Sequence, residues 1–523
     1  MKLRAVVLLC ALTNFSVLAG CTDELYRAVW DAGATGRPDA TGSGGNTAQG
    51  GAPPVLDGGA PRDAVAGAGE AGRMIVDAAG DATADVPVDA ASDAPVDATD
   101  EVAPPTPVEL VGAPLVFAPT ASSFGLNVVV SNGDPSELRA RVRAPGAETW
   151  TDAALPELPA PDIAQWRCDG LSAGTLYEYE IVVAQNEAGR PLFSGTAMTQ
   201  REPGERFAFA MLTDSHIAPR NEVPIDLQTN GFAEDTLLQV ARDIREGHPD
   251  FIIHGGDMLD FHQFGFNLPP PDEFWTRMGY LNYRRLLADT LGEAAHFPVI
   301  GNWDGENGCY TAEEIDLSRT QRLLYLPGPE PTTYPQGGSA YEDYYAFTWG
   351  DALFVVLNVM SYTTTWHLLG TDPGVPDDWT LGDAQLTWLE QTLANATSRW
   401  RFLFIHHTVG GAAGDPANTA YGRGGGQAAY VGEQAVVHAL MQQYAVQVFF
   451  YGHDHVFTDM VVDGIHYTLP GSAGAPWKFP DTTTGYGEYW TDSGHARVEV
   501  NPESVRVDFI AMGGAVICSY SLN

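Results

Sequence analysis

The sequence predicts an α/β fold, two mixed β-sheets layered between helices, with a small β domain ahead of them. Three observations carry that prediction. From residue 205 onward, short apolar runs that read as strands alternate with stretches of helical periodicity. The tail then adds further strand-like runs, so the order is neither a clean parallel series nor all-β. Between 105 and 200, strand-like runs are separated by Gly, Pro, Asp and Asn.

Residues 1–21 have a basic start, an apolar stretch and small residues before Cys21. That is the pattern of a secretory signal, too short for a spanning helix. Leu18-Ala19-Gly20-Cys21 resembles a bacterial lipoprotein processing box, which would make Cys21 the lipidated first residue of the mature chain. Ordinary cleavage nearby is the alternative. Thr22, rather than Asp, after the cysteine points by the same resemblance to the outer membrane. The protein is therefore expected in the bacterial cell envelope, as an outer-membrane lipoprotein facing the periplasm or the cell surface. Three cysteines remain after these, Cys168, Cys309 and Cys518, an odd number for an oxidising compartment. One disulfide and one buried thiol is the simplest arrangement, with Cys309–Cys518 a candidate pair.

Residues 22–104 are dominated by Ala, Asp, Gly, Pro, Thr and Val, with a loose V-D-A repeat and no aromatic after Trp30. Such a stretch cannot bury enough apolar surface to offset the entropy of ordering. Residues 22–101 carry 15 acidic and 4 basic residues, so self-repulsion extends the segment as a tether.

Residues 105–200 read as a β-sandwich. Tyr177, Tyr179 and Ile181 alternate with Glu178 and Glu180, the pattern of a half-buried strand. Leu171-Ser172-Ala173-Gly174-Thr175 ahead of Tyr177 resembles the tyrosine-bearing region of fibronectin type III-like domains.

Residues 205–523 hold the chemistry. Phe207–Leu212 reads as a strand ending at Asp214 and His216, and 232–246 as a helix. Phe251–Ile253 is a second strand, turned sharply by Gly255 and Gly256 into Asp257 and Asp260. A helical region covers roughly 272–290. A strand over 296–300 then runs into Asn302, Trp303 and Asp304. Tyr345–Trp349 and Leu353–Val359 flank a Gly350-Asp351 turn. Helices over 383–396 and 431–444 bracket a strand ending at His406 and His407. Val446–Tyr451 leads into His453 and His455. The Gly-rich segment 410–426 follows a strand end, where long loops are usually functional.

The formal charge is −40, from 27 basic and 67 acidic residues. A phosphate backbone would be repelled at long range, so nucleic acid is not expected as a partner. Divalent cations are attracted by the same carboxylates. Each metal-suited residue has an ordinary explanation taken alone, an Asp capping a turn or a His packing in the core. Five strand ends that all supply carboxylate, imidazole or carboxamide are hard to obtain from capping. In an extended D-x-H or H-x-H, residues two apart point to one side, so both can face one site. Oxygen and nitrogen donors without cysteine favour Mn, Fe or Zn.

D-S-H, G-G-D-M-L-D, G-N-W-D, the His406 strand end and G-H-D-H resemble the ordered motifs of calcineurin-like metallophosphoesterases. With the β domain ahead of them, the arrangement is similar to that of purple acid phosphatases. The resemblance implies a four-layer α/β/β/α sandwich and a phosphatase or phosphodiesterase that uses water activated by two divalent or trivalent metal ions. Asp214, His216 and His455 would hold one ion, Asn302, His406 and His453 the other, and Asp257 would bridge them. A small phosphate ester is the implied substrate.

Two positions depart from the family. Purple members place a metal-ligating tyrosine where Asp260 stands, so Asp260 is read as a support for the site, hydrogen-bonded to a ligating histidine. Asp304 is read either as orienting a partner or as a turn residue. At Trp303 the family has a histidine that contacts phosphate and assists the leaving group, and indole cannot exchange a proton in that role. Three readings stay open: another group such as His262, His407 or His367 substitutes; a good leaving group makes the acid dispensable; or the protein is a weakly active or non-catalytic surface binding protein that retains its metals. Trp303 itself remains a candidate substrate contact, and Arg423, in the Gly-rich loop, a candidate cation closing over phosphate.

Overall fold

The β module shows two kinds of strand. In β4 (Leu138–Arg143) and β8 (Leu176–Val183) buried positions alternate with more open ones, so one face meets the core and the other water. In β3 (Ser123–Asn132) the first eight residues are all buried. This difference follows from how the module is joined to what comes after it.

The computed structural model describes residues 107–184, 190–218, 227–260, 272–308, 310–363, 380–408, 432–476, 478 and 487–523. Besides β3, β4 and β8, the module contains β1 (Glu109–Leu110), β2 (Leu115–Phe117), β5 (Thr151–Asp152), β6 (Glu157–Ala160), β7 (Ile163–Asp169) and β9 (Phe193–Met198). One sheet has the order β5-β4-β8-β9. Tyr177 Oη accepts a hydrogen bond from Ser172 N at 3.0 Å, so the tyrosine read from the sequence pins the chain that precedes its strand. The other sheet does not close on itself. β2 pairs in parallel with β12 (Ala295–Pro298), Phe117 opposite His296, and the module runs on into the larger sheet.

That sheet has the order β21-β20-β19-β10-β11-β12-β2-β3-β7-β6. Here β10 is Phe207–Leu212, β11 Phe251–His254, β19 Gly494–Asn501, β20 Ser504–Ala511 and β21 Ala515–Leu522. The second sheet, β13-β14-β15-β16-β18-β17, comprises Tyr345–Trp349, Ala352–Val356, Trp400–Phe404, Val448–Phe450, Ile465–Pro470 and Phe457–Val462 in that order. Its inner strands are parallel and its edge strands antiparallel. Tyr345–Trp349 and Ala352–Val356 form the expected hairpin, with Gly350 at φ +55° in the turn.

Alternation along each strand sorts side chains between layers. Phe207, Phe209 and Met211 of β10 and Phe251 and Ile253 of β11 enter the core between the sheets. Ala210, Leu212 and Ile252 face the outer helices instead. The inner core is aromatic: Phe354 packs edge-on against Phe209, at 5.1 Å between ring centres, and against Phe251 at 5.2 Å. Outside the first sheet lie α1 (Leu227–Glu246), α2 (Glu273–Leu286) and α3 (Ala288–Leu291), with Leu237, Val240, Tyr283 and Leu286 inward. Outside the second lie α5 (Gly382–Ala394) and α6 (Gly432–Gln443), through Leu389, Leu393, Val437 and Met441. The result is the four-layer α/β/β/α sandwich expected.

Within residues 205–523, three elements escaped the sequence reading. α4 (Ala312–Tyr325) opens with a complete capping box, Thr311 with Glu314, a signal present in T-A-E-E. β17 mixes buried and exposed residues, and β21 has no fully buried position.

Arg284 is fully buried where module and sandwich meet. It donates to Asn127 O at 2.7 Å, to Ala113 O at 3.3 Å, to the Asn127 side chain and to Tyr325 O at 3.1 Å. Residues 105–523 accordingly form one compact unit. Cys168 is a buried free thiol and Cys518 on β21 is free among the described residues, while Cys309, the other member of the expected pair, lies outside them. Among the described residues no helix is long and apolar enough to cross a membrane.

Candidate metal centre

The turns that leave β10 and β11 run side by side. Asp214 N donates to Gly256 O at 3.0 Å, His216 N to Asp257 O at 3.0 Å and Ile217 N to Met258 O at 3.1 Å, extending the parallel pairing past the strand ends. From the second sheet, Gly452 N donates to His406 O at 2.9 Å, and His453 N reaches both Asp214 oxygens at 3.1 Å. Ligand-type side chains from both sheets therefore converge on one spot.

Two groups result, each with donor atoms within 4.8 Å of one another: Asp214, His216, Asp257 and His455; and His406, His407 and His453. All seven are buried. In the first, His455 Nε2 stands 3.3 Å from Asp214 Oδ1, and His216 Nε2 3.3 Å from His455 Nε2. Asp257 joins the groups, its Oδ2 lying 3.0 Å from His406 Nε2 and 3.5 Å from His216 Nε2. Asn302 is buried at the start of its turn, and its Oδ1 accepts no hydrogen bond. A buried carboxamide oxygen without a donor, among imidazoles and carboxylates, is a set that fits oxygen- and nitrogen-liganded transition metals.

The backbone is not extended here, contrary to the geometry expected for D-x-H and H-x-H. Asp214 (φ +55°), His216 (+47°), Asp257 (+53°), His453 (+76°) and His455 (+61°) are all left-handed. Non-glycine residues rarely adopt that region, and such strain clusters at functional sites. The turns aim the side chains, where strand alternation was expected to do so.

Glycines make room for the approach. A Cβ on Gly301 would collide with the Asp257 backbone and carboxylate, and one on Gly452 with the Thr213 hydroxyl. Gly256 sits at φ +99° against His406.

The charges fit a cation site. Burial pushes Asp214 up, but His455, His406 and His216 outweigh it and hold the carboxyl well below its usual range. Asp257 is treated the same way: burial raises it, and His406 and His216 bring it down. For His406 burial lowers the pKa, yet Asp257 and Asp214 lift it to about 9. His216 is dominated by burial and falls to about 4. The ion-free centre thus keeps a proton on His406, between two carboxylates. His406 Nδ1 lies 2.8 Å from Gly255 O, which fixes the ring and leaves Nε2 toward the carboxylates.

Asp304 supports the centre. Its Oδ2 accepts from Asp257 N at 3.0 Å and Gly301 N at 2.8 Å, and its Oδ1 from Leu259 N at 3.1 Å. It ties the turn after β11 to the turn after β12. Asp260 does not make the expected bond to a ligating histidine: its Oδ1 has no hydrogen-bond partner, and burial with the nearby Asp257 charge raises it to about 7. It follows directly on the Ile217–Leu259 bridge. His254 is a packed residue, 2.5 Å from Ser215 Oγ. His407, a candidate proton donor, sits inside the second group with its ring 4.1 Å from that of His453. Trp303 N donates to Asp257 Oδ1 at 2.8 Å, and its ring stands edge-on to His216 at 5.6 Å. Cys21, His262, His367 and Arg423 lie outside the described residues.

One residue near the centre went unremarked. The loop after β18 docks on the Asp214 turn, Ala473 N donating to Thr213 O at 2.8 Å and Ala475 N to Asp214 O at 3.0 Å. Three residues further stands Lys478, which interacts electrostatically with Asp214. The available signal was a count: Lys2 and Lys478 are the only lysines in the sequence.

A four-layer sandwich with such a centre at its strand ends has the metallophosphoesterase fold. Residues 207–457 match the family described as calcineurin-like phosphoesterase, and this domain of the chain belongs to it. Among solved structures, PhoD is similar at 14% identity and a TM-score of 0.59, over 79% of this chain and 90% of that one. A purple acid phosphatase, PPD1 from yellow lupin (Lupinus luteus) seeds, is similar at 14% identity and 0.55, over 78% and 74%. No curated protein matches the sequence significantly.

Proposed function

We propose that this protein is a metal-dependent phosphoric ester hydrolase with a two-ion centre. Asp214, His216 and His455 would hold one ion, Asn302, His406 and His453 the other, with His407 beside the second and Asp257 shared. The observation that carries this reading is Asp257 Oδ2, a single carboxylate oxygen within 3.0 Å of a histidine of one group and 3.5 Å of a histidine of the other. Bound ions supply activation of water and positive charge against the phosphoryl oxygens.

The chain's own residues do the positioning. Asp304 fixes the Asp257 turn, Gly301 lets Asp257 approach, and the Gly255 carbonyl holds the His406 ring. Phosphoryl transfer depends mainly on such placement and on electrostatics. No protein nucleophile is needed.

Metal content of the purified full-length protein, measured beside hydrolysis of a monoester and a diester, tests the reading. Two ions per chain with turnover of at least one ester is expected. Fewer than two ions after reconstitution, with neither ester hydrolysed, would overturn it. Trp303 favours a second reading, a surface binding protein that keeps its metals; two ions with no turnover of either ester would select it. Lipidation of Cys21, and with it an outer-membrane position, belongs to the same proposal. Cys21→Ala is expected to release the protein from the membrane fraction.

A further inference from the structure

Apart from Lys2 in the N-terminal stretch, the sequence contains one lysine, Lys478, against 25 arginines. Arginine is this chain's ordinary cation, so a lysine beside the candidate metal centre calls for a chemical reason. An ammonium is a compact point charge with three rotatable donors, and a planar guanidinium cannot take its place in a small site.

The surroundings narrow the reason. The chain leaving β18 is fastened to the Asp214 turn by the Ala473 and Ala475 bonds and by Ser472 Oγ, which donates to Asp214 O at 3.4 Å. Gly474 lies so close to the Ser215 carbonyl that a side chain there would collide with it. Lys478 stands three residues beyond Ala475. Its Nζ reaches Ser493 Oγ at 3.2 Å, next to Gly494, whose N–H donates to Ser472 O at 3.0 Å. Among the described residues that is its one hydrogen bond, and it forms no carboxylate ion pair there. Burial lowers the amine to about 8 against the pull of Asp214 and Asp492, so at neutral pH it keeps its proton. A half-buried ammonium with one neutral partner has donors left for an anion.

We propose that Lys478 is a substrate contact of the metal centre, its ammonium taking a non-bridging oxygen of the substrate's phosphoryl group. It supplies a positive contact on a site where Trp303 has none to give. The proposal rests on the hydrolase reading above, and the test separates the two.

Because the only other lysine is Lys2, acetylation of the full-length, metal-loaded protein followed by peptide mass spectrometry reports on Lys478 directly. Inorganic phosphate is expected to slow acetylation of Lys478 about tenfold, the scale of a charge-assisted contact, while chloride at equal ionic strength leaves the rate unchanged. Lys478→Gln is expected to raise KM for the ester about tenfold at unaltered metal content, and Lys478→Arg, whose planar guanidinium does not fit the site, is expected to recover none of the loss. Equal acetylation with and without phosphate overturns the proposal. So does an amine that resists acetylation even without phosphate, since a closed amine cannot meet a substrate. Normal turnover with no protection removes Lys478 from the site and leaves the hydrolase reading standing. Protection in a protein that hydrolyses no ester supports the anion contact while the hydrolase reading falls.

Discussion

Asp304→Ala removes an acceptor from three backbone N–H groups at once, those of Asp257, Leu259 and Gly301. All three bonds are buried. An unsatisfied buried donor costs about 1–3 kcal/mol, so the variant loses about 3–9 kcal/mol, the lower end applying where water enters the space left behind. Asp304→Asn keeps the volume and an acceptor oxygen but turns an NH2 toward at least one of the donors, so it should lose roughly half as much. The functional effect exceeds the stability effect, because the bond to Asp257 N fixes the carboxylate proposed to be shared by two ions. Loss of such a supporting bond typically costs about 10–100-fold in metal affinity. Denaturant unfolding of ion-free protein gives the first quantity, and metal titration by competition with a chelator gives the second. If both variants unfold and bind metal as the unaltered protein does, Asp304 is not what ties the two turns together, and the account of the centre given above is wrong at its base.

Four further outcomes follow from the structure. In ion-free protein the folded pKa of His406 is raised above its ordinary 6.5 to about 9, so the stability it contributes is full below about pH 6.5 and is lost as pH rises through about 9. Up to about 3 kcal/mol is at stake; melting from pH 6 to 10 should show the decline, and metal binding at pH 7 should release a proton that it does not release above pH 9, read by calorimetry in buffers of different ionisation enthalpy. A flat melting profile with no proton release would count against it. Trp303→His restores the family's residue, and on a poor leaving group it should raise kcat about a hundredfold with metal content unchanged; no gain on any ester would mean the acid is supplied elsewhere. Arg284→Met leaves the carbonyls of Ala113, Asn127 and Tyr325 without their buried donor and should cost about 3 kcal/mol, visible as a lowered Tm. Because most of these acceptors belong to the β module, a fragment of residues 205–523 should fail to fold, and its recovery as a soluble, metal-binding protein would refute the joint.

Much of this molecule was legible as text. β10 and β11 announced themselves as apolar runs, and their Asp and His endings marked the centre, because burying a strand and placing ligands at its end both leave residue-level traces. What stayed hidden is of another kind. That β2 continues the large sheet is a pairing between residues 117 and 296, and no local pattern encodes it. The left-handed turns that aim His453 and His455 have no sequence signature, since a strained histidine is spelled like a relaxed one. Asp304 was ambiguous because one turn aspartate looks like another until its three N–H donors are located. Asp260 was read as bonded to a ligating histidine because it stands where purple members carry a tyrosine, yet its Oδ1 has no hydrogen-bond partner.

The five left-handed residues of the centre also set a direction for selection. Each such residue costs about 1–2 kcal/mol relative to an ordinary conformation, and glycine would relieve it. A laboratory search for heat-resistant variants of the ion-free protein should therefore collect glycine at positions such as His216, His453 or His455 early. Those winners would be stable and chemically inert. Only a screen run with metal present, where binding repays the distortion, should keep the histidines in place.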